Sequence, residues 1–197
     1  MSHAAVLPPP QTIAAFDAFL DGQRDDTRWE LIEGRIVAMT NPSLDHAEIV
    51  GNIAAALRPA MPADRWCRVT TGGVRVQTSD DVRGVYAPRP DVMVYCGPID
   101  GRRSFATTPM LVAEVLSPST MDHDRGAKLR FYKTSLPTLR HIALVYQDQI
   151  RVEVYDRVSD GWDLFTLTQP ADLLRFAALL FEMTLADVYG GVTLPAG

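Results

Sequence analysis

A chain of 197 residues suits one domain with room for a substantial core, and its composition, 47% hydrophobic and 22% charged, excludes wholesale disorder. No apolar run approaches the roughly 18 residues needed to span a membrane. The net charge of −5 excludes indiscriminate nucleic-acid binding, yet residues 58–140 hold 13 Lys and Arg against 8 Asp and Glu, a locally basic middle that either faces phosphates or is simply solvated.

The first ten residues, ending in Pro8-Pro9-Pro10, read as a loose tail without the basic-then-apolar order of a signal peptide. Ile13, Phe16 and Leu20 space out a short amphipathic helix over 11–20. Trp29 to Ile32 and Arg35 to Met39 flank Glu33-Gly34, the pattern of a hairpin with a two-residue turn. Ser43 is placed to cap a helix whose stripe is His46, Val50, Ile53 and Leu57. His46 sits near the end of that helix, where it either reaches a site or is a hydrogen-bonded core residue. Strands are expected over 66–70, 74–77 and 90–95, with loops over 80–88 and 99–108. Cys67 and Cys96 show no metal-ligand spacing and read as free thiols of a reducing cytoplasm; the four histidines are too scattered for structural zinc.

Leu111 to Leu116 is a strand buried on both faces, ended by the turn signal Ser117-Pro118. Glu114 lies in its middle. A carboxylate placed there costs several kcal/mol, roughly, unless it meets a cation or loses its charge. The next helix begins at Asp122 or Asp124 and runs to about Ser135, with Asp124, Lys128 and Tyr132 along one side at four-residue steps. Beyond Pro137, residues 141–146 and 150–155 form another hairpin, 162–167 a further strand, and 173–189 a short strand and a short helix from Thr184. Strands flanked by a few helices make an α/β or α+β domain.

Asp91 opens one strand and Glu114 sits within another, and the loop between them lets the two strands be neighbours. Two such carboxylates repel unless a divalent cation lies between them, and Mg²⁺ suits carboxylate oxygens while keeping waters for chemistry. Lys128 can project over the pair and stabilise developing negative charge. Each residue has a plainer reading: Asp91 as a turn former, Glu114 in an ion pair with an arginine, Lys128 paired with Asp124 on the helix surface, Asp124 as a helix cap, Ser117 as a turn residue. No Gly-x-Ser-x-Gly elbow exposes a nucleophilic serine.

Pro90-Asp91, the string from Val112 to Thr120 around Glu114, and Asp124 through Lys128 to Tyr132 resemble the Uma-type restriction endonuclease family of the PD-(D/E)XK nuclease superfamily. The likeness runs from about residue 28 to 189. It implies a restriction-endonuclease-like domain over 28–189, a mixed β-sheet flanked by helices, preceded by a tail and short helix over 1–27 and followed by a tail over 190–197. The superfamily's lysine stands two residues after the acidic residue, where this chain has Leu116; the resemblance points instead to Lys128 in the following helix. It implies an endonuclease using Mg²⁺ or Mn²⁺ on nucleic acid, with DNA as substrate. Asp91, Glu114 and the carbonyl of Val115 would hold the metal, Lys128 would assist catalysis, and His46 would be auxiliary. A homodimer would supply a second site for the other strand. A nuclease-fold binding or regulatory module with little turnover is the alternative.

Overall fold

The computed structural model describes residues 11–61, 66–78, 83–97, 103–117, 121 and 124–194. The sequence expectations for residues 1–10, Pro118, Asp122 and residues 99–102 of the loop after Cys96 therefore lie outside the described residues.

The centre is a six-stranded sheet built from β3 (Cys67–Thr71), β5 (Val92–Cys96), β7 (Pro109–Leu116), β8 (His141–Tyr146), β9 (Val152–Val158) and β10 (Gly161–Leu167). Across the sheet the order is β10-β9-β8-β7-β5-β3. Only β7 and β8 run parallel, as strands joined through a helix must; the hairpin-linked and loop-linked neighbours are antiparallel. The sheet is mixed and flanked by helices, as the sequence suggests.

Both faces of β7 are covered, which is why its apolar residues run without alternation. Leu111, Ala113 and Val115 point to the face packed by Ile49, Ile53 and Leu57 of helix α2 (Leu44–Ala60) and by Leu185 and Val188 of helix α4 (Leu185–Val188). Val112 and Leu116 point to the opposite face, where Leu129, Phe131 and Tyr132 of helix α3 (Leu129–Ser135) close the second core layer. Ser43 caps α2 through its side chain, as expected, but the buried stripe runs through Ile49 rather than Val50, which is only partly covered.

Among the described residues, three two-stranded pairs and a short helix frame the sheet. The hairpin of β1 (Trp29–Ile32) and β2 (Arg35–Ala38) turns at Glu33 and Gly34, both at positive φ, the geometry of a tight two-residue turn. Helix α1 (Ile13–Asp21) packs Ile13 and Phe16 against Leu31 of this hairpin. The strand expected over 74–77 does not join the main sheet: β4 (Arg75–Val76) forms a short parallel pair with β6 (Phe105–Ala106), which lies inside the stretch 99–108 expected to be loop. The 173–189 region holds two strands rather than one, β11 (Leu173–Phe176) and β12 (Phe181–Thr184), before α4, which Thr184 starts with a reciprocal capping box.

The cysteines correct the sequence reading. Cys67 and Cys96 are directly opposed in the antiparallel β3–β5 pair and form a disulfide. They are 29 residues apart in the chain, so only strand register brings them together. The free-thiol expectation falls, and with it the argument from cysteine usage for a reducing compartment. Among the described residues, no helix is long and apolar enough to cross a membrane.

Candidate active site

The central parallel pair β7–β8 points its C-terminal ends to one end of the sheet, where β5 begins and α2 starts. A cavity of about 470 Å³ opens there, lined among others by Glu30, His46, Asp91, Glu114, Val115, Asp124, Lys128 and Gln147. Every site residue expected from the sequence lines this one cavity.

Register explains the meeting of the two carboxylates. Val92 pairs with Ala113, so continuing the antiparallel ladder by one residue sets Asp91 opposite Glu114 on the face away from α2. Asp91 is held at both oxygens: Oδ2 accepts the backbone N–H of Val115 at 2.8 Å, and Oδ1 lies 3.1 Å from His46 Nε2. His46 is thus not a core residue; the first turn of α2, fixed by the Ser43 cap, aims it at Asp91.

Glu114 is 2% exposed and finds the partners that its burial demands. The Tyr132 hydroxyl donates to Oε1 at 2.5 Å, and Lys128 Nζ lies 3.5 Å from the same oxygen. Burial pushes the Glu114 carboxyl well above the usual carboxylate range; Lys128 opposes the shift, while Asp124, Asp91 and Glu30 add to it. Burial and the nearby Glu114 likewise push the Tyr132 hydroxyl well up, so it stays a donor.

Lys128 comes from a π-helical turn, Asp124–Lys128, that leads into α3. Such wide turns recur at functional sites. Here the turn places Asp124, Lys128 and Tyr132 over the sheet. The Lys128 ammonium contacts Glu30 at 3.0 Å, Asp124 at 3.0 Å and Glu114 at 3.5 Å. Burial works to lower its pKa, but Glu114, Glu30 and Asp124 outweigh that and hold it well above the ordinary value. The Lys128–Asp124 pair exists, but it is buried in the cavity wall rather than solvated on a helix surface. Asp124 acts there as a partner of Lys128.

Glu30 is the residue that sequence reasoning missed. Its Oε1 accepts the Arg89 backbone N–H at 2.6 Å, and its Oε2 faces Lys128. The available signal was a carboxylate inside the otherwise apolar strand Trp29–Ile32, the same signal that picks out Glu114.

Three carboxylates, Glu30, Glu114 and Asp124, therefore surround one ammonium, and a fourth, Asp91, lines the same cavity. Hard oxygen donors in charge excess fit a hard divalent cation, with Asp91 and Glu114 the pair presented from facing strands. Among the described residues, no three His, Cys, Asp or Glu side chains are drawn together as a ready cage. Mg²⁺ needs no such cage, since it takes one or two carboxylates and completes its shell with water.

Comparison with known proteins agrees with this architecture. Residues 13–186 match the Uma2 family, described as "Putative restriction endonuclease". Two uncharacterized proteins of Synechocystis sp. are similar: one is 29% identical over 86% of this chain and 87% of its own, the other 32% identical over 70% and 76%. A crystal structure from Anabaena variabilis, described as "a putative nuclease belonging to DUF820", shares the fold with a TM-score of 0.73 at 18% identity, covering 93% of this chain and all of that one.

Proposed function

The chain belongs to the Uma2 family, and from that premise and the carboxylate-lined cavity we propose that it is a Mg²⁺-dependent endonuclease, able to use Mn²⁺, that hydrolyses phosphodiester bonds in DNA. The observation that carries the reading is the convergence of Asp91 and Glu114 from adjacent strands beside the buried Lys128 ammonium.

Asp91, Glu114 and the Val115 carbonyl are the groups that would hold the ion. When bound, it lowers the pKa of a coordinated water and polarises the scissile phosphate. The rest belongs to the chain. His46 and the Val115 N–H fix the Asp91 carboxylate, so it enters the site without a search for its rotamer. Tyr132 does the same for Glu114 from below. Lys128 remains charged through its acidic neighbours and is placed to stabilise negative charge developing on the phosphate oxygens. Leu116 occupies the position two residues after Glu114 and is buried in the core, so no cation can act from there. A long side chain entering from the π-turn takes its place.

The test is cleavage of mixed DNA and RNA substrates with Mg²⁺ or Mn²⁺, then with EDTA, beside the Glu114→Ala variant. Metal-dependent cleavage of DNA that vanishes in the variant is expected. Metal binding without cleavage would contradict the substrate; neither binding nor cleavage would favour a nuclease-fold binding module.

A further inference from the structure

The proposed hydrolysis leaves one buried acid unused. Leu144 of β8 pairs with Glu114 on one side and with Glu153 of β9 on the other. Glu114 and Glu153 therefore stand in one row on the same face of the sheet, two strands and ~9–10 Å apart. Glu153 is 2% exposed and has nothing to do with the cavity's carboxylates. Its Oε1 accepts from Arg125 Nη1 at 2.9 Å, Arg151 Nη2 at 2.8 Å and the Tyr146 hydroxyl at 3.1 Å, and its Oε2 from the Tyr155 hydroxyl at 3.4 Å.

The two arginines are built in rather than loose. Both guanidinium groups lie over the Tyr146 ring, at 5.8 Å for Arg125 and 5.0 Å for Arg151, and Arg125 Nη1 also donates to the Tyr146 hydroxyl. Their side chains remain 37% and 38% exposed while their shared anchor is buried. Arg151 Nε is buried without a hydrogen-bond partner among the described residues. Two guanidinium groups on one carboxylate leave a net positive charge and unused N–H donors. A purely structural pair would need only one arginine.

The cluster adjoins the cavity. Arg125 follows Asp124 in the π-turn, and Gln147 follows Tyr146 at the end of β8; Asp124 and Gln147 both line the cavity. The same π-turn thus delivers Lys128 to Glu114 and Arg125 to Glu153. A nucleic-acid strand with a phosphate in the cavity would carry its neighbouring phosphate past this point. The geometry points to a phosphate clamp: Arg125 and Arg151, positioned by Glu153 and Tyr146, grip a non-scissile phosphate of the strand being cut. The inference rests on the nuclease reading. Bidentate guanidinium geometry suits a phosphate's paired oxygens, and such a grip sets strand position without reading sequence.

The experiment measures binding of a fluorescein-labelled DNA strand, its duplex and a matching RNA strand by anisotropy. It uses the full chain in EDTA, so no turnover intervenes, across about 50 to 200 mM salt. Arg125→Gln and Arg151→Gln should each weaken binding, about tenfold for the pair combined. The slope of log affinity against log salt should fall by about 0.7–0.9 for a phosphate that is no longer neutralised. DNA and RNA should be weakened alike, and Arg151→Lys should keep the salt slope while recovering only part of the affinity. A melting curve recorded for each variant separates weakened binding from loss of fold, and all binding is measured below the transition. Variants that bind with the wild-type affinity and slope would overturn the clamp and leave the nuclease reading standing. A wild-type chain that neither binds nor cuts nucleic acid would overturn both.

Discussion

Glu114 and Glu153 occupy the same row of one sheet, flank the same leucine and are equally buried, yet their surroundings differ in kind. Glu153 is saturated: four donors converge on it, two of them cationic. Glu114 shares one ammonium with two other acids and faces a fourth across the cavity. A buried carboxylate with a surplus of donors is an anchor that organises the groups around it. One with a deficit is a site, because a ligand can still lower its energy.

The largest effect that would break this contrast comes from Glu114→Gln. The amide keeps the volume and still accepts the Tyr132 O–H, while removing a charge that burial and three neighbouring acids disfavour. Cleavage should fall by about 100- to 1,000-fold, the range for losing a main electrostatic group, while the melting temperature holds or rises. A drop in both would make Glu114 an anchor like its neighbour. Glu153→Ala should behave in the opposite way. Denaturant unfolding should show a loss of about 2–3 kcal/mol, below the full figure for a buried pair because both arginines stay over a third exposed. Tyr132→Phe removes one donor from the deficient side and should cost about 1–2 kcal/mol by the same assay. Full stability in that variant would mean Glu114 does not rely on its hydroxyl.

These differences were only partly legible in the sequence. Glu114 stood out because a carboxylate interrupts an apolar run, and Asp124, Lys128 and Tyr132 because four-residue steps survive the change from π-turn to α-helix. Asp91 beside Glu114 needed only that two nearby strands pair. Glu30, Glu153 and the Cys67–Cys96 bridge were hidden for a shared reason: each depends on long-range register or packing. The hairpin holding Glu30 could be read from its turn, but not the face that it turns to Lys128. The β8–β9 hairpin was equally visible. What was not visible is that its register lines up Glu153 with Leu144, and so with Glu114.

The most direct measurement is the melting temperature of the full chain titrated with Mg²⁺, beside Asp91→Asn and Glu114→Gln. If the excess of negative charge at Asp91 and Glu114 marks a divalent-cation site, the melting temperature of the wild type should rise saturably. At about 100 times the dissociation constant the gain is about 2.7 kcal/mol, or roughly 5–10 °C for a chain of this size. Both variants should lose most of that rise. An equal rise in wild type and variants, or none in the wild type, would contradict a metal centre at these two carboxylates.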